Sequence, residues 1–158
     1  MTCIAQRKRC TVNFNRILVP TDFSASSERA LRLAVGLARR DHGAIVLLHV
    51  APFPVAFSGD FYGPLPVIDL QPTLDQIGKE SRHLLERLAA QEVPQDVGWT
   101  PKVILGSPAD EIGSEIEHGG YGLVVMGTHG RRGVSHVLLG SVAERVLRHS
   151  AVPVLVTR

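Results

Sequence analysis

The stretch from Gly127 to Ser141, GTHGRRGVSHVLLGS, contains four glycines and directly follows the apolar run LVVM. A glycine-rich loop that leads into a helix offers unpaired backbone N–H groups and the positive end of a helix dipole, and both favour phosphate. Gly127 would let a ligand approach the backbone closely, and Gly130 would permit a positive φ that turns amides toward it. Gly140 and Ser141 would present the helix N-terminus. The spacing alone fits a phosphate site and an ordinary tight turn equally well.

A second candidate, Asp22, follows the apolar run RILVP and precedes a helical segment. An ionised carboxylate only accepts hydrogen bonds, so it suits ribose hydroxyls and would repel phosphate. Ligands of open parallel sheets bind beyond the carboxyl ends of the strands, where neighbouring connections run to opposite faces. If the strands before Asp22 and Gly127 are neighbours there, the sequence predicts a nucleotide that extends from Asp22 to Ser141. The alternative is that Asp22 only caps the following helix.

The remaining polar residues of the glycine-rich loop do not indicate a catalytic centre. Arg131 and Arg132 fit phosphate contacts and solvated surface cations equally well. His129 and His136 are too few for a metal site, so we expect no metal bound by side chains and no catalytic residue. The sequences GxxxxGK[ST] and GxGxxG are absent, which argues against a P-loop ATPase and a dinucleotide-binding Rossmann enzyme.

The elements that must position these residues follow from the hydrophobic pattern. From Arg16 onward, β-rich runs alternate with helical periods, which is typical of βαβ units on a parallel sheet. Strands are predicted at 16–20, 44–50, 102–105, 122–127 and 153–157, and Pro101 suggests that the third lies at an edge. A capping box of Thr73 and Gln76 would begin the second helix after a long irregular loop at 51–72. The predicted inward-facing helix residues are Leu31, Ala34, Val35, Ala38, Leu74, Ile77, Leu84, Leu85, Leu88, Ile112, Ile116, Val142, Val146 and Leu147.

The length, composition and charge of the chain limit the classes of protein to which it can belong. A chain of 158 residues, 44% of them hydrophobic, suits one domain, and we expect neither a membrane-spanning helix nor a secretory signal. Residues 1–13 form a basic leader that we expect to be disordered. Segment 1–16 carries +4 and the other 142 residues carry −2, so we expect no nucleic-acid partner. Cys3 and Cys10 are interpreted as free thiols in a reducing, cytoplasmic compartment.

The glycine spacing resembles the G-x2-G-x9-G-[ST] pattern of ATP-binding members of the universal stress protein family, with Gly127, Gly130, Gly140 and Ser141 at the matching positions. The segments ILVPTDFSASSERAL, VLLHV and GSVAERVLRHSAVPVLVTR also resemble that family, and the likeness extends over residues 14–158. It implies an α/β domain with an open five-stranded parallel sheet of order 3-2-1-4-5 and helices on both faces. This is the Rossmann-like architecture of the adenine nucleotide alpha hydrolases.

The resemblance also implies an adenine-nucleotide site. Asp22 would bind at the ribose and adenine end, Val50 would line the adenine, and the glycines and Ser141 would bind the phosphates. By the same resemblance, Pro20, Thr21, Met126, Thr128 and Val142 would line the site. Arg131 is also expected to contact the nucleotide, on the grounds of its charge and its place in the loop. The expected ligand is ATP, with ADP or AMP as alternatives and Mg²⁺ or Mn²⁺ held through the phosphates. Family members typically form homodimers through the last strand, here Val152 to Thr157.

Three functions are compatible with these features. The first is an ATP-binding regulatory module of the stress response. The second is a slow ATP hydrolase or nucleotidyl-transfer enzyme on the same site, for which the sequence offers no carboxylate near the glycine loop. The third is a family member that binds something else in the crevice or serves as a dimeric scaffold.

Overall fold

A computed structural model describes residues 14–52, 70–128 and 139–157. Its elements are β1 (Arg16–Pro20), α1 (Ala25–Asp41), β2 (Ala44–Ala51), α2 (Gln71–Glu92), β3 (Gly98–Leu105), α3 (Pro108–His118), β4 (Leu123–Gly127), α4 (Ser141–His149) and β5 (Val154–Thr157). The strands form one parallel sheet in the order β3-β2-β1-β4-β5, so the predicted fold is confirmed. The basic leader, most of the 51–72 loop, and the loop residues His129, Gly130, Arg131, Arg132 and His136 lie outside the described residues.

Side chains alternate between the two faces of the sheet and form two apolar clusters. The first cluster includes Ile17 and Val19 of β1 and is covered by α1 and α2. The second includes Leu18 of β1 and is covered by α3 and α4. Ile17, Leu18 and Val19 are fully buried, as an interior parallel strand with helices on both faces requires.

The start of α1 is fixed by a side-chain cap. Ser24 is the N-cap residue, and its Oγ accepts a hydrogen bond from the Ser27 N–H at 3.3 Å. At the other end, His42 adopts the left-handed conformation, with φ 54°. The predicted stripe of Leu31, Ala34, Val35 and Ala38 is buried, which confirms that face of the helix.

Three local predictions about α2 and α4 are wrong. The helix α2 begins at Gln71 with Leu70 as N-cap and Pro72 in its first turn, so the Thr73–Gln76 capping box does not start it. Leu84 is 41% exposed, because the buried stripe of α2 passes through its neighbour Leu85. Leu147 of α4 is also exposed, since the helix buries Ala143 and Val146 instead.

The strand β3 lies at the sheet edge, as Pro101 predicted, but it begins at Gly98, four residues before the predicted start. Pro101 pairs with Leu47 of β2 within the strand. An edge position tolerates proline because the missing N–H can lie on the side that has no neighbouring strand.

A charged group, Glu115 of α3, is buried beside the second cluster. The Lys102 Nζ donates to its Oε2 at 2.6 Å, and the Tyr121 hydroxyl donates to its Oε1. The Arg16 guanidinium lies 5.1 Å from the centre of the Tyr121 ring. Burial would raise the Glu115 pKa, but the hydrogen bonds from Lys102 and Tyr121 outweigh it and lower that pKa below its ordinary value. Burial and the bond to Glu115 raise the pKa of Tyr121 to about 12.

The raised Tyr121 pKa predicts alkaline sensitivity. A group whose pKa is higher in the folded state stabilises the fold below its unfolded value of 10.0, and that stability is lost as the pH rises through about 12. We expect about 1 kcal/mol less stability from this group at about pH 11 than at about pH 9. Urea unfolding at both pH values should show this loss in the native chain and its absence in Tyr121→Phe. An equal loss in both proteins would contradict the assignment.

Candidate functional site

The chain connections diverge between β1 and β4. The two strands are neighbours, with Ile17 paired to Leu123 and Leu18 to Val124. After β1 the chain enters α1, on the face of the first cluster, whereas after β4 it enters α4 on the opposite face. Such a divergence opens a crevice beyond the carboxyl ends of the two strands. The predicted adjacency of the segments that follow them is therefore present.

Asp22 lies in a tight turn between β1 and α1. Its Oδ1 accepts a hydrogen bond from the Ser24 N–H at 3.1 Å, and its side chain is partly buried. The N-cap of α1 is Ser24, so the alternative in which Asp22 caps that helix is wrong. Phe23, between them, adopts the left-handed conformation with φ 61°, which is uncommon for a residue other than glycine.

The residue before it, Thr21, is buried and its hydroxyl is used within the turn. The Thr21 Oγ1 accepts from the Phe23 N–H at 3.0 Å and shares a hydrogen bond with the Ser27 Oγ at 3.0 Å. The Thr21 N–H donates to the Leu48 carbonyl at 2.8 Å, which ties the turn to β2. Pro20 is buried at the end of β1. Thr21 therefore shapes the rim of the crevice through its own hydrogen bonds.

The ends of the glycine loop meet at Thr128. The Thr128 N–H donates to the Thr157 carbonyl at 2.8 Å, and the Thr128 carbonyl accepts from the Gly140 N–H at 2.6 Å. The chain thus leaves β4 and returns to the start of α4 at the same place, beside the end of β5. Gly130 and Arg131 lie between Thr128 and Gly140 in the sequence, outside the described residues.

Gly127 packs closely on the first turn of α1. A Cβ at this position would lie 2.4 Å from the Ser26 Oγ and 2.8 Å from the Ser26 carbonyl carbon. These separations are far below van der Waals contact, so glycine is required there by helix packing. Its presence therefore does not by itself indicate a ligand.

The N-terminus of α4 borders the same crevice. Gly140 is its N-cap and supplies no side chain, Ser141 is exposed, and Val142 is partly buried. The first N–H groups of a helix have no partner within the helix and carry its positive partial charge. Glu144 lies in the first turn, and Arg148 pairs with its carboxylate at 2.7 Å, which partly offsets that negative charge. This end of α4 suits an anion.

Three predicted contact residues belong to the second apolar cluster. Val50 and Met126 are buried, at 8% and 4% exposure, and Val142 packs against the same cluster. Their side chains form an apolar base beneath the ends of β2 and β4, with only a small area available to a ligand. Of the twelve predicted contact residues, ten are described, and all ten lie within two residues of the carboxyl ends of β1, β2 and β4 or of the start of α4.

His49 is a neighbour of the site that the sequence did not single out. Its Nδ1 lies 2.8 Å from the Thr21 carbonyl, and its ring centre lies 4.6 Å from that of Phe23. The available signal was one ionisable residue in the otherwise apolar strand AIVLLHV.

Within residues 14–52, 70–128 and 139–157, no group of three or more His, Cys, Asp and Glu side chains could hold a metal ion. In the same ranges, no helix has the length and apolar character needed to cross a membrane.

The model of the universal stress protein family matches residues 13–158. The chain belongs to the universal stress protein family. It is 31% identical over 157 residues to universal stress protein MJ0577 of Methanocaldococcus jannaschii, with 94% of this chain and 97% of the relative covered. It is 34% identical over 151 residues to universal stress protein YxiE of Bacillus subtilis, with 92% and 99% covered.

Solved structures agree with this family assignment. The structure of MJ0577 superimposes with a TM-score of 0.76 at 28% identity and covers 92% of this chain and 96% of its own. A universal stress protein solved in complex with cAMP has a TM-score of 0.60 at 23% identity, with 91% and 96% covered, and at that identity the likeness is one of fold.

Proposed function

We propose that this universal stress protein binds an adenine nucleotide and acts as a nucleotide-dependent regulatory module in the stress response. ATP is the ligand we favour, with ADP and AMP as alternatives. The nucleotide would lie in the crevice between the ends of β1 and β4, from Asp22 to Ser141. The proposal rests on one observation. The Asp22 carboxylate follows β1, and the N-terminus of α4 follows the neighbouring strand β4, so both lie at the same end of the sheet. We also propose a cytoplasmic location, in keeping with Cys3 and Cys10 as free thiols.

The sugar would bind at Asp22. A carboxylate accepts hydrogen bonds from the ribose hydroxyls and repels phosphate, so it orients the nucleotide with its sugar at this end. The turn of Pro20 and Thr21 would form the adjoining rim. Val50 and Met126 would supply an apolar base for the purine, a ring that favours contact with such side chains.

The phosphates would bind at the glycine loop and the start of α4. Gly140 and Ser141 contribute helix N-terminal amides and a hydroxyl, and Val142 follows in the same turn. On sequence grounds, Gly130 and Arg131 would complete this end, with Gly127 and Thr128 at its base. Mg²⁺ or Mn²⁺ would be held through the phosphates, since the described residues offer no cluster of ligating side chains.

Two further considerations support the proposal. The chain belongs to the universal stress protein family, and a protein with this fold has been solved with cAMP, so the fold accommodates an adenine nucleotide in that protein. We also propose that two copies associate through Val152 to Thr157. β5 is an edge strand and its Leu155 is 38% exposed, which leaves an apolar edge available for a second chain.

Identification of the copurifying small molecule tests the proposal. Protein purified without added nucleotide is denatured by heat, and the supernatant is separated by ion-exchange chromatography with mass detection. We expect ATP, ADP or AMP in a substantial fraction of the molecules. The proposal would be contradicted if a different ligand occupied a substantial fraction of the molecules, or if no adenine nucleotide were bound even after incubation with ATP. The universal stress protein fold would remain, with the crevice used for another purpose.

A further inference from the structure

His49 donates a hydrogen bond to the turn that carries Asp22. Its Nδ1 lies 2.8 Å from the Thr21 carbonyl oxygen. A carbonyl can only accept, so the proton must reside on Nδ1. The imidazole therefore has a defined donor atom and a defined orientation at the point where the chain leaves β1.

The same imidazole also supports the next part of the turn. The ring centres of His49 and Phe23 are 4.6 Å apart, with the planes inclined by 44°. Phe23 adopts a left-handed backbone conformation, which few residues other than glycine adopt unless their surroundings hold them in it. The contacts that hold it include the His49 ring, the hydrogen bond from the Phe23 N–H to the Thr21 Oγ1 at 3.0 Å, and packing of the Phe23 side chain against the first apolar cluster.

Asp22 is therefore placed between two residues that His49 contacts. On one side, the Thr21 carbonyl accepts from the imidazole, and on the other, the Phe23 ring packs against it. The Asp22 carboxylate also accepts from the Ser24 N–H at 3.1 Å, which fixes it relative to this turn. Any rotation of the Thr21–Ser24 segment would displace the carboxylate with it.

We propose that His49 is a positioning residue for ribose recognition: through Thr21 and Phe23 it holds Asp22 in the orientation that accepts the sugar hydroxyls. The inference rests on the proposed binding of an adenine nucleotide at Asp22. In this role His49 makes no direct contact with the nucleotide. Replacement of His49 should therefore weaken the contact with the sugar and leave the other contacts with the nucleotide unchanged.

Two nucleotides distinguish a role of His49 in ribose recognition from a general structural role. ATP and 2′,3′-dideoxy-ATP differ only in the ribose hydroxyls, so the ratio of their dissociation constants reports the sugar contact. His49→Phe keeps an aromatic ring against Phe23 but removes the donor to Thr21. His49→Asn keeps a donor, because its side-chain amide nitrogen occupies the position of the imidazole Nδ1.

In the wild-type chain, we expect the dissociation constant of ATP to be about tenfold or more below that of the dideoxy analogue. His49→Phe should lower the affinity for ATP about fivefold and leave that for the dideoxy analogue unchanged, whereas His49→Asn should retain most of the wild-type ratio. A wild-type ratio in His49→Phe, or an equal loss for both nucleotides, would overturn the inference alone. A wild-type chain that binds neither nucleotide would overturn the proposed function as well.

A measurement on the wild-type chain keeps the inference testable if His49→Phe does not fold. Long-range ¹H–¹⁵N correlation spectra distinguish the two imidazole tautomers. We expect a proton on Nδ1 of His49 in the free and ATP-bound protein. A neutral ring protonated only on Nε2 could not donate to Thr21 and would overturn the inference.

Discussion

Gly127→Val is expected to lower the free energy of unfolding by about 3 kcal/mol, with a fall in melting temperature of about 10 °C. The added Cβ would lie 2.4 Å from the Ser26 Oγ and 2.8 Å from the Ser26 carbonyl carbon. The hydroxyl can rotate away, but the carbonyl carbon belongs to the first turn of α1 and can move only with that helix. Chemical denaturation followed by circular dichroism would measure the loss.

The matched control for this change is Gly36→Val in the exposed middle of α1, where a Cβ meets no atom within 4 Å. Its stability should stay within about 0.5 kcal/mol of the wild-type value, because valine is no worse than glycine in a helix. If Gly127→Val were as stable as this control, close packing of β4 on α1 would not be what requires the glycine.

Asp22→Ala is expected to weaken ATP binding about a hundredfold, because it would remove the proposed charge-assisted hydrogen bonds to the ribose and also removes the acceptor for the Ser24 N–H. Asp22→Asn separates the two effects. Its side-chain oxygen can still accept from Ser24 and keep the turn, while the negative charge is lost. We expect about a tenfold loss of affinity in Asp22→Asn, with stability close to that of the wild type.

Asp96→Ala is the matched control for these variants. Asp96 is a surface carboxylate that pairs with Arg39 at 2.7 Å. It lies just before β3 begins, at the amino ends of the strands, whereas the crevice lies at their carboxyl ends. Its loss should leave ATP affinity unchanged. If Asp22→Ala bound ATP with wild-type affinity, the carboxylate would not bind the sugar, even if the crevice binds the nucleotide.

The parallel sheet could be predicted because its strands and helices depend on signals that are local in sequence, whereas the strand order followed from the resemblance to the universal stress protein family. Apolar runs such as AIVLLHV mark interior strands, and Pro101 marks an edge strand. Local helix signals were less reliable. The Thr73 capping box is overridden by an earlier start at Gln71, and Leu84 lies one position from the stripe that α2 buries.

The details of the site depend on contacts between distant segments, which no local pattern reports. His49 and Thr21 are 28 residues apart and meet only because β1 and β2 pair in parallel. The sequence assigned Gly127 to ligand approach, whereas the structure also requires it for packing on Ser26 of α1. The spacing of the glycines is the same under either requirement.

Calorimetric titration of ATP into nucleotide-free wild-type protein tests the central claim most directly. The account predicts one saturable site per chain, with a dissociation constant below about 100 μM. Titrations of ATP, ADP and AMP that all show no binding up to millimolar concentrations, in a chain that circular dichroism shows to be folded, would contradict it.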